Sequence, residues 1–192
     1  MDANPHAARR RNAGETRETI LAAARALFTA RGFDETGTRD IAALAGVNIA
    51  LINRYFASKE GLFEAAVLAE LRLDPALLAE PRRIAANLAA LVAGKTGPVA
   101  VDPVMAILRS ASSPVVGAQI RKAVEAQAIA PLAESLGEAE GAHQQATLAL
   151  ALLAGFDVMV RMLDLAPGGD RAALEARLLA MFEAALAPTA KA

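Results

Sequence analysis

Between Ile20 and Phe63 the apolar residues recur at helical spacing in runs that end abruptly, and this punctuation restricts the fold more than any other feature. Ile20, Ala23, Ala24, Leu27 and Phe28 share one face at i, i+3, i+4, i+7 and i+8, and Gly32 after Arg31 supplies a left-handed stop. A helix is expected from about Thr16 to Arg31, with Phe33 packing back on its end. A second begins near Thr38, with Ile41, Ala42, Leu44 and Ala45 as its buried side, and stops at Gly46. A third, capped by Asn48, carries Ile49, Ile52, Tyr55 and Phe56 to a break at Ala57 and Ser58. Helices this short do not persist alone, so their neighbours must hold them. Two short helices joined by a Gly-Val turn resemble a helix-turn-helix.

Past Ser58, which can cap the next helix while Glu60 favours its positive end, long helical segments follow. They are expected over Lys59 to Leu73, Pro81 to Ala93, Pro103 to Ser110, Pro114 to Leu136, Glu140 to Asp164 and Asp170 to Leu186. Pro103 and Pro114 suit first turns, whereas Pro131 should kink or divide its segment. Composition agrees: 49 of 192 residues are alanine, while only 4% are aromatic, so strand formers are scarce. The expected class is all-α with about nine helices. Residues 1–14 show no period and read as a flexible basic arm, 15–62 as a three-helix domain containing the helix-turn-helix, and 63–192 as a larger helical body.

Several classes are excluded by what the chain lacks. Without cysteine there is no disulfide framework, thiolate nucleophile or cysteine-held zinc. Two histidines, no metal-ligand spacing and no glycine-rich phosphate loop argue against an enzyme, and no cofactor or metal is expected. The basic, polar start does not resemble a secretory signal, and the apolar stretch from Ala142 to Phe156 is short for a bilayer, so a cytoplasmic protein is expected. Residues 1–60 carry nine Lys/Arg against seven Asp/Glu, with Arg9, Arg10 and Arg11 clustered, so positive charge gathers where a polyanion can be met.

The stretch from Thr16 to Val67 resembles the DNA-binding region of the TetR (tetracycline-repressor-like) transcriptional regulators. The resemblance rests on Ala24 to Phe28 with Gly32-Phe33, on Arg39-Asp40-Ile41-Ala42, on Ala45-Gly46-Val47, and on Tyr55-Phe56-x-Ser58-Lys59-Glu60-x-Leu62. It implies a homodimeric regulator, by default a repressor, released from a palindromic operator in double-stranded DNA by a small-molecule effector. An activator of the same fold and a helical adaptor that does not bind DNA are the alternatives.

In a helix-turn-helix the second helix enters the major groove. With Ile52 and Phe56 inward, Asn48, Ile49, Leu51, Asn53 and Arg54 lie on or near the groove side. Asn48 or Asn53 can bond adenine, Arg54 guanine or phosphate, and Ile49 or Leu51 a thymine methyl. Tyr55 and Lys59 suit phosphate, although Tyr55 also reads as an aromatic at the core edge. Asn53 stands where the family often has Tyr. Gly37 stands where it often has Ser or Thr, leaving Thr38 and Arg39 to make that contact. The arginines of the arm can enter a minor groove or add only non-specific attraction.

From about residue 70 onward the chain is similar to the family's effector-binding and dimerisation region, most clearly at Asp102-Pro103 and Ile107-Leu108-Arg109-Ser110-Ala111. The resemblance implies that the last two long helices form a four-helix bundle with a second copy. The segment Glu140 to Asp164 is apolar on more than one face, which requires cover on two sides. Met105, Leu108, Arg109, Phe156 and Met159 are expected to line an effector pocket, although core filling accounts for the methionines as readily. Asp157 and Arg161, four apart, form either a local ion pair or ligand-orienting groups.

Overall fold

The computed structural model describes residues 5–95, 101–137, 141–165 and 167–188, with side chains from residue 13 onward. Every regular element among them is helical: α1 (Pro5–Arg31), α2 (Thr38–Ala45), α3 (Ile49–Phe56), α4 (Lys59–Ala66), α5 (Pro75–Leu78), α6 (Ile84–Ala93), α7 (Pro103–Ser110), α8 (Gly117–Val124), α9 (Ala130–Ser135), α10 (Ala142–Asp157) and α11 (Arg171–Leu186). Short 3-10 turns at Leu68–Glu70 and Pro81–Arg83 end α4 and lead into α6. The all-α class is thus as the sequence indicates.

Several boundaries differ, each for a local reason. Residues 5–14, expected to be an irregular arm, continue α1 to Pro5. Pro5 suits the first turn, and the alanines and arginines after it are good helix formers, but a polar segment has no apolar period to reveal it. Pro114 lies in a turn three residues ahead of α8, where the Ser113 Oγ accepts from the Val115 and Val116 amides at 3.3 and 3.5 Å. Leu44, placed among the buried residues of α2, is 58% exposed; Ile41 and Ala42 alone bury that helix.

Pro131 does divide its segment. A proline ring clashes with the carbonyl four residues back, and here the chain widens into a π turn over Glu125–Ile129, closed by the Ala130 amide on the Glu125 carbonyl, before α9 begins. A second π turn, Val158–Met162, extends α10. The resulting helix, Ala142–Met162, reaches 21 residues and is long and apolar enough, by length and composition, to cross a membrane. Ala146, Ala149 and Leu153 are buried in a core cluster, which accounts for its apolar character without one.

The chain forms two compact units. One holds the described residues up to Glu70 together with those from 101 to Ile120; the other holds 71–95 and the residues after Ile120. The expected division at residue 62 is linear, whereas these units interleave. In the first, Phe28, Phe33 and Phe63 are 0%, 3% and 0% exposed and meet edge to face, with Phe63 centroids 5.0 Å from Phe28 and 5.4 Å from Phe33. Such pairs contribute about 0.5–1.5 kcal/mol each beyond the area they bury.

α7 belongs to this unit because its ends are bonded to α1 and the turn after it. Asp102 caps α7 through the Val104 amide, Oδ1 to N 2.7 Å, while its own amide donates to the Thr29 Oγ1 at 3.1 Å. The Phe33 amide donates to the Ser110 Oγ at 2.9 Å, and the Ser113 hydroxyl donates to the Asp34 carboxylate at 2.8 Å. Gly32, at φ +76°, lies so close to α7 that a Cβ there would sit 2.9 Å from the Arg109 carbonyl oxygen. The motif around Asp102-Pro103 and Ile107 to Ala111 therefore holds a helix against α1.

The second unit packs α6, α9, α10 and α11 around Leu88, Val92, Leu132, Leu153, Leu178 and Phe182, with Ala89, Ala93, Ala146 and Ala149 between them. Asp157 is fully buried and accepts from Lys95 Nζ at 2.6 Å and from the Arg161 guanidinium at 3.4 Å. The i, i+4 ion pair is real, and a lysine 62 residues away in sequence completes it.

Candidate nucleic-acid interface

α3 is positioned by its inward side. Ile52 and Phe56 are buried, at 0% and 7% exposure, because they fall four residues apart on the inward face of a helix packed against α2 and α4. The helix starts at Asn48, whose Oδ1 accepts from the Ala50 amide at 2.9 Å. α2 is joined to it through Gly46, left-handed at φ 65°, which allows the tight turn. At the other end Ala57, also at positive φ, turns the chain into α4, whose cap is Ser58 accepting from the Gly61 amide at 3.1 Å.

Those constraints leave one face outward. Asn48, Ile49, Asn53 and Arg54 are exposed, whereas Leu51 and Tyr55 are half-buried. Asn48 has its carbonyl oxygen committed to the cap, so only its amide N–H groups remain to donate. Asn53 makes no side-chain hydrogen bond among the described residues and keeps both donor and acceptor, and Arg54 has no ion pair there. On α2, Thr38 is half-buried and Arg39 exposed, while Gly37 occupies the cap position without a side-chain bond.

Lys59, at the start of α4, lies with Nζ 4.1 Å from the centroid of Phe33. Partial burial pushes its pKa down, opposed by the nearby carboxylates of Asp34 and Glu60. Its ammonium is therefore held in place over a ring rather than swinging freely. Glu60 has its carboxyl below the usual carboxylate range because the Ser58 side chain and its own backbone amide bond the charged form. Arg17, which the sequence reading did not single out, has its guanidinium 5.3 Å from the Phe56 ring centroid, beside the end of α3. Its place at the head of the motif-bearing stretch was the available signal.

The residues expected to line an effector pocket divide between the two units. Met105 is 4% exposed inside the first unit, with Leu108 half-buried and Arg109 exposed on the same helix. Phe156, half-buried, packs against the core of the second unit, and Met159 is 49% exposed there.

Comparison with known proteins accords with this geometry. Residues 20–66 match the family model of bacterial regulatory proteins of the tetR family. Residues 82–186 match the model of tetracyclin repressor-like C-terminal domains. NalD of Pseudomonas aeruginosa, described as the secondary repressor of the MexAB-OprM multidrug efflux pump, is similar in structure with a TM-score of 0.62 and 23% identity, covering 89% of this chain and 96% of that one. A TetR-family transcriptional regulator described as putative, from Mesorhizobium loti, is similar with a TM-score of 0.52 and 18% identity, covering 91% and 96%. No curated protein matches the sequence significantly.

Proposed function

We propose, on the premise that this chain belongs to the tetR family of bacterial regulatory proteins, that it is a homodimeric cytoplasmic repressor released from a palindromic operator by a small-molecule effector. The observation that carries the reading is the outward face of α3, where Asn53 and Arg54 stand exposed without partners among the described residues on a helix fixed at both ends. Asn53 is the better adenine reader, since a bidentate contact needs the acceptor that Asn48 has already committed. Ile49 offers an apolar contact to a thymine methyl. Thr38, Arg39, Tyr55 and Lys59 are placed for the backbone, and their contacts set register rather than sequence.

A second copy is called for by apolar surface on the last two helices, where Leu148, Met159 and Met181 are 49%, 49% and 48% exposed. The dimer puts two recognition helices on successive half-sites, and an effector that binds the helical body better in one conformation shifts the spacing between them. Comparison with NalD favours repression by analogy only.

Fluorescence anisotropy of the full-length protein on DNA from its own upstream region tests this. Arg54→Ala is expected to weaken binding by about 1–3 kcal/mol if it reads a base, and Lys59→Ala to lower the salt dependence by about one unit if it neutralises a phosphate. A folded dimer that binds no DNA at low salt overturns the reading and leaves an adaptor.

A further inference from the structure

The second unit contains an open cleft of about 680 Å³ between α5 and the helix that carries the first π turn. Its floor is apolar, formed by Leu73, Leu78 and Pro131, and Arg72 and Glu134 stand at its edge. The volume lies within the range of small-molecule sites. None of the five residues expected to line an effector pocket borders it.

Gln127 also lines the cleft, on the π turn that Pro131 imposes. Its Oε1 is buried and has no hydrogen-bond partner among the described residues. As placed, that oxygen has no accessible surface. The terminal torsion of a glutamine is soft, and a half-turn exchanges oxygen and nitrogen and presents the oxygen to the cleft, where a bound molecule that excludes water must supply its donor. Arg72 and Glu134 have opposite charges and make no ion pair among the described residues, so the edge favours neither sign.

We propose that this cleft binds an uncharged lipophilic molecule bearing one N–H or O–H donor, with Gln127 as its acceptor. That such a molecule acts as the effector rests on the function proposed above; the binding site itself does not. The pairing of an apolar floor with a single orphaned acceptor selects for the donor, since a ligand that lacks it leaves the oxygen unpaired.

The test uses the full chain and two fluorescent probes of nearly the same shape. N-phenylnaphthylamine is uncharged and has one N–H, whereas benzylnaphthalene carries a CH2 in its place and has no donor. The arylamine is expected to bind saturably, one per chain, and about tenfold more tightly than the hydrocarbon. Gln127→Leu should bring the two affinities together. Ala126→Trp, a change at an exposed position on the cleft wall, should abolish binding of both while circular dichroism shows the helices intact. Equal affinities in the unaltered protein, no saturable binding, or binding that survives Ala126→Trp overturns the proposal. Operator binding measured on the same samples separates the two readings. Intact DNA binding without the probe pattern removes the cleft alone, and the probe pattern without DNA binding removes the regulator alone.

Discussion

The two units are built from different material. The first is closed by three phenylalanines, Phe63 meeting Phe28 and Phe33 edge to face, and it holds α3 by buried Ile52 and Phe56. The second brings helices together on alanines, with Ala89, Ala146 and Ala149 at 1%, 0% and 0% exposure among its larger side chains. Aromatic interlock fixes a single arrangement, because a displaced ring clashes with two others. Alanine faces have shallow ridges and let helices approach closely while defining their register less sharply. Under the function proposed above, a unit that presents a recognition helix benefits from the first kind of packing, and one that changes shape on binding from the second.

This contrast can be broken deliberately. Phe63→Ala removes the shared partner of both edge-to-face pairs and is expected to destabilise by about 3–5 kcal/mol, read as a lower midpoint in denaturant unfolding followed by loss of DNA binding. Asp157→Ala removes the fully buried carboxylate that bonds Lys95 and Arg161 in the second unit, and its expected effect reaches about 3 kcal/mol in the same assay. If Asp157→Ala proves harmless, the ion cluster does not hold α10 to Lys95. Ala149→Leu tests the alanine packing from the opposite direction: enlarging a fully buried small residue should cost about 1–3 kcal/mol, with operator affinity retained in the folded fraction. Gly37→Ser is the smallest change, adding a cap hydroxyl to α2 and raising stability by a few tenths of a kcal/mol, provided the Asp40 carboxylate moves aside from where the new Cβ would lie.

Much of the first unit was readable because its signals are local. Gly32, Gly46, Asn48 and Ser58 stop or cap helices in the way their chemistry dictates, and the structure has each in that role. What escaped depends on distance. Nothing near Ser110 indicates that it will accept the Phe33 amide 77 residues away, nor does Asp157 announce Lys95 at a separation of 62. The extension of α1 to Pro5 escaped for the opposite reason, since a helix polar on all sides has no apolar stripe. The outward residues of α3 were deduced from the inward ones. Their assignment to bases or phosphates was not, because it needs the groove. The π turn was hidden because Pro131 announces a break in its segment but not that the chain ahead of it widens rather than ends.

The interleaving of the units sets a timetable for synthesis. A ribosome that has released residues up to 95 has delivered all of α1 to α4, yet Thr29, Phe33 and Asp34 still await their partners on and around α7. Domains otherwise complete in order from the N-terminus. Here the first unit is finished only after the 71–95 stretch of the second has emerged, so it is not a module that can be cut out or exchanged at residue 62 or 70 without taking 101–120 with it.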